Sequence, residues 1–266
     1  MVVAAHDPNP RVDGNGVRRL REAGIQVDTG LMTAEAEALN PGFTMRMKAG
    51  RPWVRIKSAI SLDGRTALGN GESKWISSEA SRQDVQRWRA RSSAILTGIG
   101  TVLADDPSMQ ARVDRDVRQP LRIVADSRWR TPADSKILAG PGKALIAGDR
   151  SLEVPAALKN SGTRCLGLPA RNGFIDLGLL LSSLAELEIN EIQVEAGAIL
   201  CGALLEKRLV DEILIYQAPH FLGDGGPGPF ALGPLESMSE RTHLTLLETS
   251  QLGSDLRLRF KPEYRH

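Results

Sequence analysis

From Pro52 onward, short apolar runs alternate with amphipathic stretches at a steady spacing. That pattern predicts an α/β chain, with a mostly parallel sheet and flanking helices. Trp53–Ile60 reads as a strand and Ser61–Thr66 as the loop behind it. Ser77 or Ser78 caps a helix running to about Arg91, with Val85 and Trp88 on one face. Further strands are predicted at Ala94–Thr97, Arg122–Ala125, Ala144–Ala147, Cys165–Leu168, Glu191–Glu195 and Ile213–Tyr216. Helices are predicted at Leu177–Glu188 and Gly202–Lys207, and Gly223–Pro229 is a Gly- and Pro-rich loop. His243–Leu247 and Leu256–Phe260 have no helix between them, which predicts a closing antiparallel hairpin.

The first residues follow the same alternation in a shorter frame. Val2–Ala5 reads as a strand stopped by Asp7-Pro8-Asn9-Pro10, Val17–Ala23 as a helix, and Ile25–Val27 as a second strand. Thr33 then opens a helix with Glu35 and Glu37 in its early turns, where carboxylates suit the helix dipole. A βαβα unit of about fifty residues cannot bury both faces of its own sheet. It reads as a piece of a larger domain, and the division expected is residues 1–48 and residues 52–262.

Composition narrows the function classes. Of 266 residues, 41% are apolar and 25% charged, and 34 basic against 32 acidic side chains leave a net charge of +2. Arginines 18, 19, 21, 87, 89 and 91 are spread over helix faces, so neither nucleic acid nor a membrane surface is an expected partner. Cys165 and Cys201 are the two cysteines, too far apart in sequence for a zinc or disulfide framework, which suits a reducing compartment. The run Leu177–Leu181 is too short to cross a bilayer, and the N-terminal residues do not form a signal peptide; a cytoplasmic location is expected. His6, His220, His243 and His266 share no metal-ligand spacing.

Candidate chemistry gathers where strands meet glycines. Ala94-Ile95-Leu96-Thr97 runs into Gly98-Ile99-Gly100-Thr101 and a helix-like segment closed by Asp105-Asp106-Pro107. Glycine lets the main chain approach a ligand, and a helix start presents N–H groups to an anion. Val194-Glu195-Ala196-Gly197 repeats the arrangement and adds a carboxylate at a strand end, among small apolar neighbours where it needs a partner. Asp126-Ser127-Arg128 follows a third strand; there a hydroxyl and a guanidinium suit a ribose 2′-phosphate, although a plain charged turn has the same composition. Trp75, in Gly71–Ile76, is either core or a platform for a planar ring. Arg55 and Lys57 share one face of their strand.

Several of these segments stand in the order of one family. Lys57-x-Ala59-x-Ser61-Leu62-Asp63-Gly64-Arg65-Thr66, Gly71-Glu72-Ser73-x-Trp75-Ile76, Arg89-Ala90, Gly98-x-Gly100-Thr101-Val102-x-x-Asp105-Asp106-Pro107, Asp126-Ser127 and Val194-Glu195-Ala196-Gly197 resemble the reductase domain of the bifunctional riboflavin-biosynthesis deaminase–reductase. Asp7-Pro8-Asn9-Pro10, Gly14-x-Gly16, Ala23-Gly24-Ile25 and Leu39-Asn40-x-Gly42-Phe43 resemble the carboxyl end of its deaminase domain. The zinc-holding His-Ala-Glu and Pro-Cys…Cys segments of that deaminase do not occur here, so neither zinc nor deamination is expected. Two explanations stay open: an internal methionine taken as the start, or a form that has lost the first activity.

The resemblance implies a dihydrofolate-reductase-like fold with a small N-terminal deaminase remnant, a homodimer, and NADPH as cofactor. It implies reduction of a phosphorylated pyrimidine, 5-amino-6-(5-phosphoribosylamino)uracil, to its ribitylamino counterpart. By motif match, Ala59, Trp75, Thr101, Asp105, Ser127 and the segment Gly197, Ala198, Ile199, Leu200, Cys201, Gly202, Ala203 would hold NADPH. Ser73, Arg89, Met109, Arg112 and Glu195 would hold the substrate, Arg89 and Arg112 at its phosphate. Lys57, Asp105 and Glu195 would stand nearest the ring-opening chemistry, in an order the motifs leave open. Rival readings are a reductase of a pterin-type ring on the same fold, or a non-enzymatic assembly subunit.

Overall fold

The computed structural model describes residues 1–264, so His266 lies outside the described residues. The chain forms two compact units, one of residues 1–53 with 181–191 and the other of residues 54–180 with 192 onward.

In the first unit, β1 (Val2–Val3), α1 (Asn15–Glu22), β2 (Asp28–Thr29), α2 (Thr33–Leu39) and α3 (Pro41–Ala49) follow one another. β1 and β2 pair in parallel, Val2 opposite Asp28. The second strand thus begins beyond the predicted Ile25–Val27. Those residues are used to close α1: Gly24 takes a φ of +79°, the Ile25 amide donates to the Leu20 carbonyl, and Arg21 donates to the Val27 carbonyl. α3 was not predicted, although Pro41 at its first turn and Gly50 in the left-handed region behind it are start and stop signals.

The second unit is built on nine strands, whose bounds run β3 (Trp53–Ile60), β4 (Ala94–Gly98), β5 (Leu121–Ala125), β6 (Ala144–Asp149) and β7 (Arg164–Leu168). A short hairpin follows, β8 (Ala170–Arg171) and β9 (Phe174–Ile175), then β10 (Glu191–Val194), β11 (Glu212–Gln217), β12 (His243–Leu252) and β13 (Asp255–Glu263). The large sheet has the order β12-β13-β11-β3-β10-β4-β5-β6-β7. β11 pairs in parallel with β3, as do β10 with β4 and β4 through β7 with their neighbours. β13 runs antiparallel to both β11 and β12, which is the predicted closing hairpin. The helices are α4 (Glu79–Arg91), α5 (Ile99–Asp105), α6 (Ala156–Asn160), α7 (Leu177–Glu186) and α8 (Ala198–Glu206).

β3 and α4 match their predicted limits because their signals are complete. β3 is an apolar alternating run, and the Ser78 hydroxyl accepts from the Ser81 amide to cap α4. α8 starts four residues before the predicted Gly202, at Ala198, since its N-cap is Gly197 and no capping side chain marks the spot. α7 stops at Glu186 rather than Glu188, which takes a φ of +60° while the Ile189 amide turns back to the Leu184 carbonyl. Ile95, Val102, Val124, Ile137, Ile146 and Leu158 pack with Trp129 in one core cluster. Val85 and Trp88 of α4 pack with Leu214 and Tyr216 of β11 in another. Among the described residues no helix is long and apolar enough to cross a membrane.

Candidate active site

β10 is inserted between β3 and β4, so three parallel-sheet strands end side by side beneath a cleft of about 740 Å³. Open α/β sheets bind ligands outside such strand ends. β3 contributes Lys57 and Ala59, the end of β10 contributes Glu195, and α5, which leaves β4 at Gly98, contributes Thr101 and Asp105. α4 closes one wall with Arg82, Gln86 and Arg89, residues spaced four and three apart and so on one helix face.

Glu195 is the most tightly held group of the cleft. Its Oε1 accepts from Arg89 Nε at 2.7 Å and its Oε2 from Arg89 Nη2 at 2.8 Å, while Gln193 Nε2 donates to Oε1 at 2.7 Å. Both side chains of the ion pair are about nine-tenths buried, at 12% exposure for Arg89 and 10% for Glu195. The strand end beneath is zipped to β4, as the Glu195 amide donates to the Leu96 carbonyl and the Thr97 hydroxyl to the Glu195 carbonyl. Burial alone would raise the carboxyl's pKa, but the Arg89 charge and hydrogen bonds outweigh it. With help from Lys57 and Gln193, they hold it at about 2. Glu195 is therefore a fixed negative charge and not the exposed cap that a charged residue after a strand would suggest.

Lys57 is its counterpart. Burial pushes its amine below the usual lysine value, the Glu195 charge opposes that shift, and the Arg89 charge adds to it. Its Nζ lies 5.6 Å from the Tyr216 ring centroid. Lys57 stands in the interior of the sheet with β11 on one side and β10 on the other, not on an edge strand's open face.

The cleft brings together Lys57, Ala59, Ser73, Trp75, Arg89, Thr101, Asp105, Met109, Arg112, Glu195, Gly197 and Ala198 of the sequence-derived set. Trp75 is exposed rather than core, with the Arg82 guanidinium 4.6 Å from its ring centroid. Asp105 stands at the mouth, its carboxylate 3.5 Å from Lys74 Nζ. Arg112 is anchored through its backbone N–H, which donates to Gln86 Oε1, and its Nη1 donates to the Ser108 hydroxyl. Arg89, expected at the substrate phosphate, gives its remaining Nη1 to the Gln110 carbonyl.

Six expected residues do not line the cleft. Ser127 lies in the turn behind β5, where its hydroxyl accepts from the Ile175 amide. Along α8, Ile199 is exposed, Leu200 packs beside Gly98, and Cys201 is buried with its thiol on the Ala196 carbonyl and its pKa pushed up to about 12 by that burial. Gly202 lies against the Ala231 carbonyl, and Ala203 continues the helix away from the cleft. The sequence reading missed Arg82, Gln86 and Gln193. The helical spacing of the first two to Arg89 was a usable signal; Gln193 gave none.

A mostly parallel sheet with a charged cleft above its central strand ends, entered by two glycine-opened helices, places the chain in the class of open α/β domains that bind a ligand at the strand ends. Within it, the chain belongs to the family of the RibD C-terminal domain, whose profile matches residues 52–258. It is 42% identical over 270 residues to the riboflavin biosynthesis protein RibD of Escherichia coli K12, covering 96% of this chain and 72% of that protein. The structure of Acinetobacter baumannii RibD superposes with a TM-score of 0.89 at 41% identity, over 99% of this chain and 72% of that one. A Thermotoga maritima diaminohydroxyphosphoribosylaminopyrimidine deaminase/5-amino-6-(5-phosphoribosylamino)uracil reductase matches with a TM-score of 0.83 at 26% identity, over 98% of this chain and 70% of that one. The protein is a reductase of riboflavin biosynthesis.

Proposed function

We propose that the reductase converts 5-amino-6-(5-phosphoribosylamino)uracil to 5-amino-6-(5-phosphoribitylamino)uracil and takes its reducing equivalents from NADPH. The observation that carries the reading is Glu195, clamped by Arg89 as a carboxylate beside the half-buried Lys57 in the cleft. The named activity of the Thermotoga protein supports the substrate.

The residues present fit the cofactor. Gly197 is the N-cap of α8 and has no capping side chain, so the first N–H groups of the helix are available to an anion, and a Cβ at Gly197 would meet nothing within 4 Å. That open backbone at the cleft wall suits a pyrophosphate, with Thr101, Asp105, Ala59 and Trp75 around the rest of the molecule. NADPH, when bound, supplies a hydride. Ser127 and Arg128 are our candidates for its 2′-phosphate.

The furanose must open before C1′ can accept a hydride, and opening needs a proton at the ring oxygen. Glu195, held at about 2, cannot deliver it at neutral pH. Lys57, whose amine is tuned downward by burial, is the group that gives that proton; the proton stays on the new 4′-hydroxyl, and the amine takes its replacement from solvent. The fixed charge of Glu195 stabilises the cationic imine that opening creates at C1′. Because Arg89 is committed to Glu195, Arg112 takes the substrate phosphate, with Ser73 and the backbone at Met109 along the rest of the substrate.

Residues 1–48 are assigned to a segment like the carboxyl end of a deaminase domain, and residues 52–262 to the reductase. A cytoplasmic homodimer completes the proposal; light scattering on purified protein checks the dimer, and the mass of a single chain would overturn it. The test of function is loss of NADPH absorbance when the purified protein meets substrate made in situ by a separate deaminase, with NADH in parallel. Oxidation of NADPH in preference to NADH is expected. Tight NADPH binding without oxidation would exclude this substrate, and inertness in both arms would favour the assembly-subunit reading.

A further inference from the structure

Beneath Lys57 lies a polar assembly that the mechanism above leaves unused. Asp84 of α4 is buried, and its Oδ2 accepts from the Tyr216 hydroxyl at 2.8 Å, from Arg257 Nη1 at 2.9 Å and from Trp88 Nε1 at 3.2 Å. Tyr216, on β11, is fully buried, and Val85, Trp88 and Leu214 pack against its ring. Arg257 and Trp88 hold the Asp84 carboxylate, and through it the Tyr216 hydroxyl is tied in place. The face the ring turns toward β3 carries the Lys57 Nζ, 5.6 Å from the ring centroid and within cation–π reach.

The remaining groups around Lys57 account for themselves. Glu195 faces it from the end of β10, already bonded to Arg89 and Gln193. Arg89 faces it from α4 as a like charge. Arg55, two residues back on the same strand face, is committed to Glu212 at 2.9 Å, and Asp105 across the cleft is paired with Lys74. Against burial and a neighbouring arginine, the Tyr216 ring is thus the second group after Glu195 that favours the charged amine.

We propose that Tyr216 is a positioning residue of the reductase: tied at its hydroxyl to Asp84, its ring cradles the Lys57 ammonium and holds it charged and aimed at the cleft beside Glu195. The proposal rests on the assignment of Lys57 as the proton donor for its meaning in catalysis, but not for its test. Tyr216 is buried and does not line the cleft, so it acts through Lys57 alone.

The experiment measures the protonation midpoint of Lys57 directly, by competitive acylation of its amine across pH with the labelled peptide quantified by mass spectrometry. The alkaline limb of the kcat–pH profile is recorded beside it. Tyr216→Phe keeps the ring and is expected to leave the midpoint in place. Tyr216→Met removes the ring and is expected to lower the midpoint and the limb by about one unit, with KM for NADPH unchanged. A series of increasingly fluorinated phenylalanines at position 216 drains the ring face of negative potential at nearly constant shape, and should lower the midpoint stepwise. That series decides the matter if the methionine variant does not fold. Midpoints that coincide across phenylalanine, its fluorinated forms and methionine would overturn the proposal and leave Tyr216 a core residue. Acylation needs no turnover, so an enzyme inert toward the proposed substrate would sink the functional reading while still testing Tyr216.

Discussion

At the scale of single residues, the site turns on one carboxylate whose proton affinity is set by its neighbours. Replacing Glu195 with Gln keeps an acceptor for Arg89 but removes the charge. We expect kcat to fall about 100-fold or more, as when a preorganised electrostatic contact to a transition state is lost. The same change leaves the Arg89 guanidinium buried without a counter-charge, a defect of about 3–5 kcal/mol in comparable pairs. Assays must therefore be run well below the variant's melting temperature, with circular dichroism confirming the fold. A folded Glu195→Gln protein with wild-type turnover would remove Glu195 from the mechanism. Glu195 and Lys57 were both legible in the sequence, because a charged residue in an apolar strand or beside small residues demands a reason. Their partners were not. Arg89 reaches Glu195 across 106 positions of chain, and Asp84 reaches Tyr216 across 132. Such pairings follow from sheet order, which no local pattern encodes. Arg89, placed at the substrate phosphate by motif match, has its charge paired with Glu195 inside the protein.

Among the elements, two glycines on one helix play opposite parts. At Gly197 the φ is −71° and a Cβ would meet nothing within 4 Å, so Gly197→Val is compatible with the fold while filling the space a pyrophosphate would use. It should raise the Kd for NADPH at least tenfold, about 1.4 kcal/mol, with an unchanged melting temperature. Fluorescence titration of NADPH and a thermal melt check both halves, and unaltered binding would move the cofactor away from α8. At Gly202 a Cβ would lie 2.1 Å from the Ala231 carbonyl oxygen. Gly202→Ala should therefore lower the melting temperature by forcing that backbone apart, without a specific effect on cofactor binding in the protein that remains folded. The family resemblance presented these glycines as one cofactor segment, because its motif match takes the run from Gly197 to Ala203 as a unit; the local pattern of the chain did the rest. It found β3, α4, β4 and the closing hairpin because their alternation, cap and turn residues were all in place. It placed the start of α8 four residues late because Gly197 opens the helix with no capping side chain. The β8–β9 hairpin was legible yet overlooked: Asn172-Gly173, with φ of +53° and +79°, is a two-residue turn of the Asn-Gly kind between paired Arg171 and Phe174.

Taken as a whole molecule, the protein buries a small set of paired charges, and that fixes how its stability should respond to acid. Glu212 lies between Arg55 and Arg259, and Glu248 between Arg257 and Arg259, so the ion pairs of β11, β12 and β13 form one connected group beside Trp88. Hydrogen bonds and neighbouring cationic charges hold seven carboxyls below their ordinary values: Asp63, Glu195 and Glu248 at about 2, and Asp106, Asp149, Glu212 and Asp255 in the same direction. A carboxyl with a depressed folded pKa binds fewer protons in the native state than in the unfolded chain. Its contribution is complete above the unfolded value and is lost as pH falls toward the folded one. Lys57, also lowered, likewise makes stability rise with pH, but in the alkaline range: its burial cost is constant while it is charged and is relieved as pH rises from its folded value toward the unfolded one. It cannot offset the carboxylates in acid. The melting temperature should therefore decline steeply between about pH 5 and pH 3. Glu195 and Glu212 should dominate, since the side chains of Asp63, Asp106 and Asp149 are partly in solvent and are screened by it. Glu195→Gln should start from a lower melting temperature and lose less of it over that interval. Parallel curves for the two proteins would show that Glu195 is not held as a carboxylate by Arg89, and would undo its role as the fixed charge of the cleft.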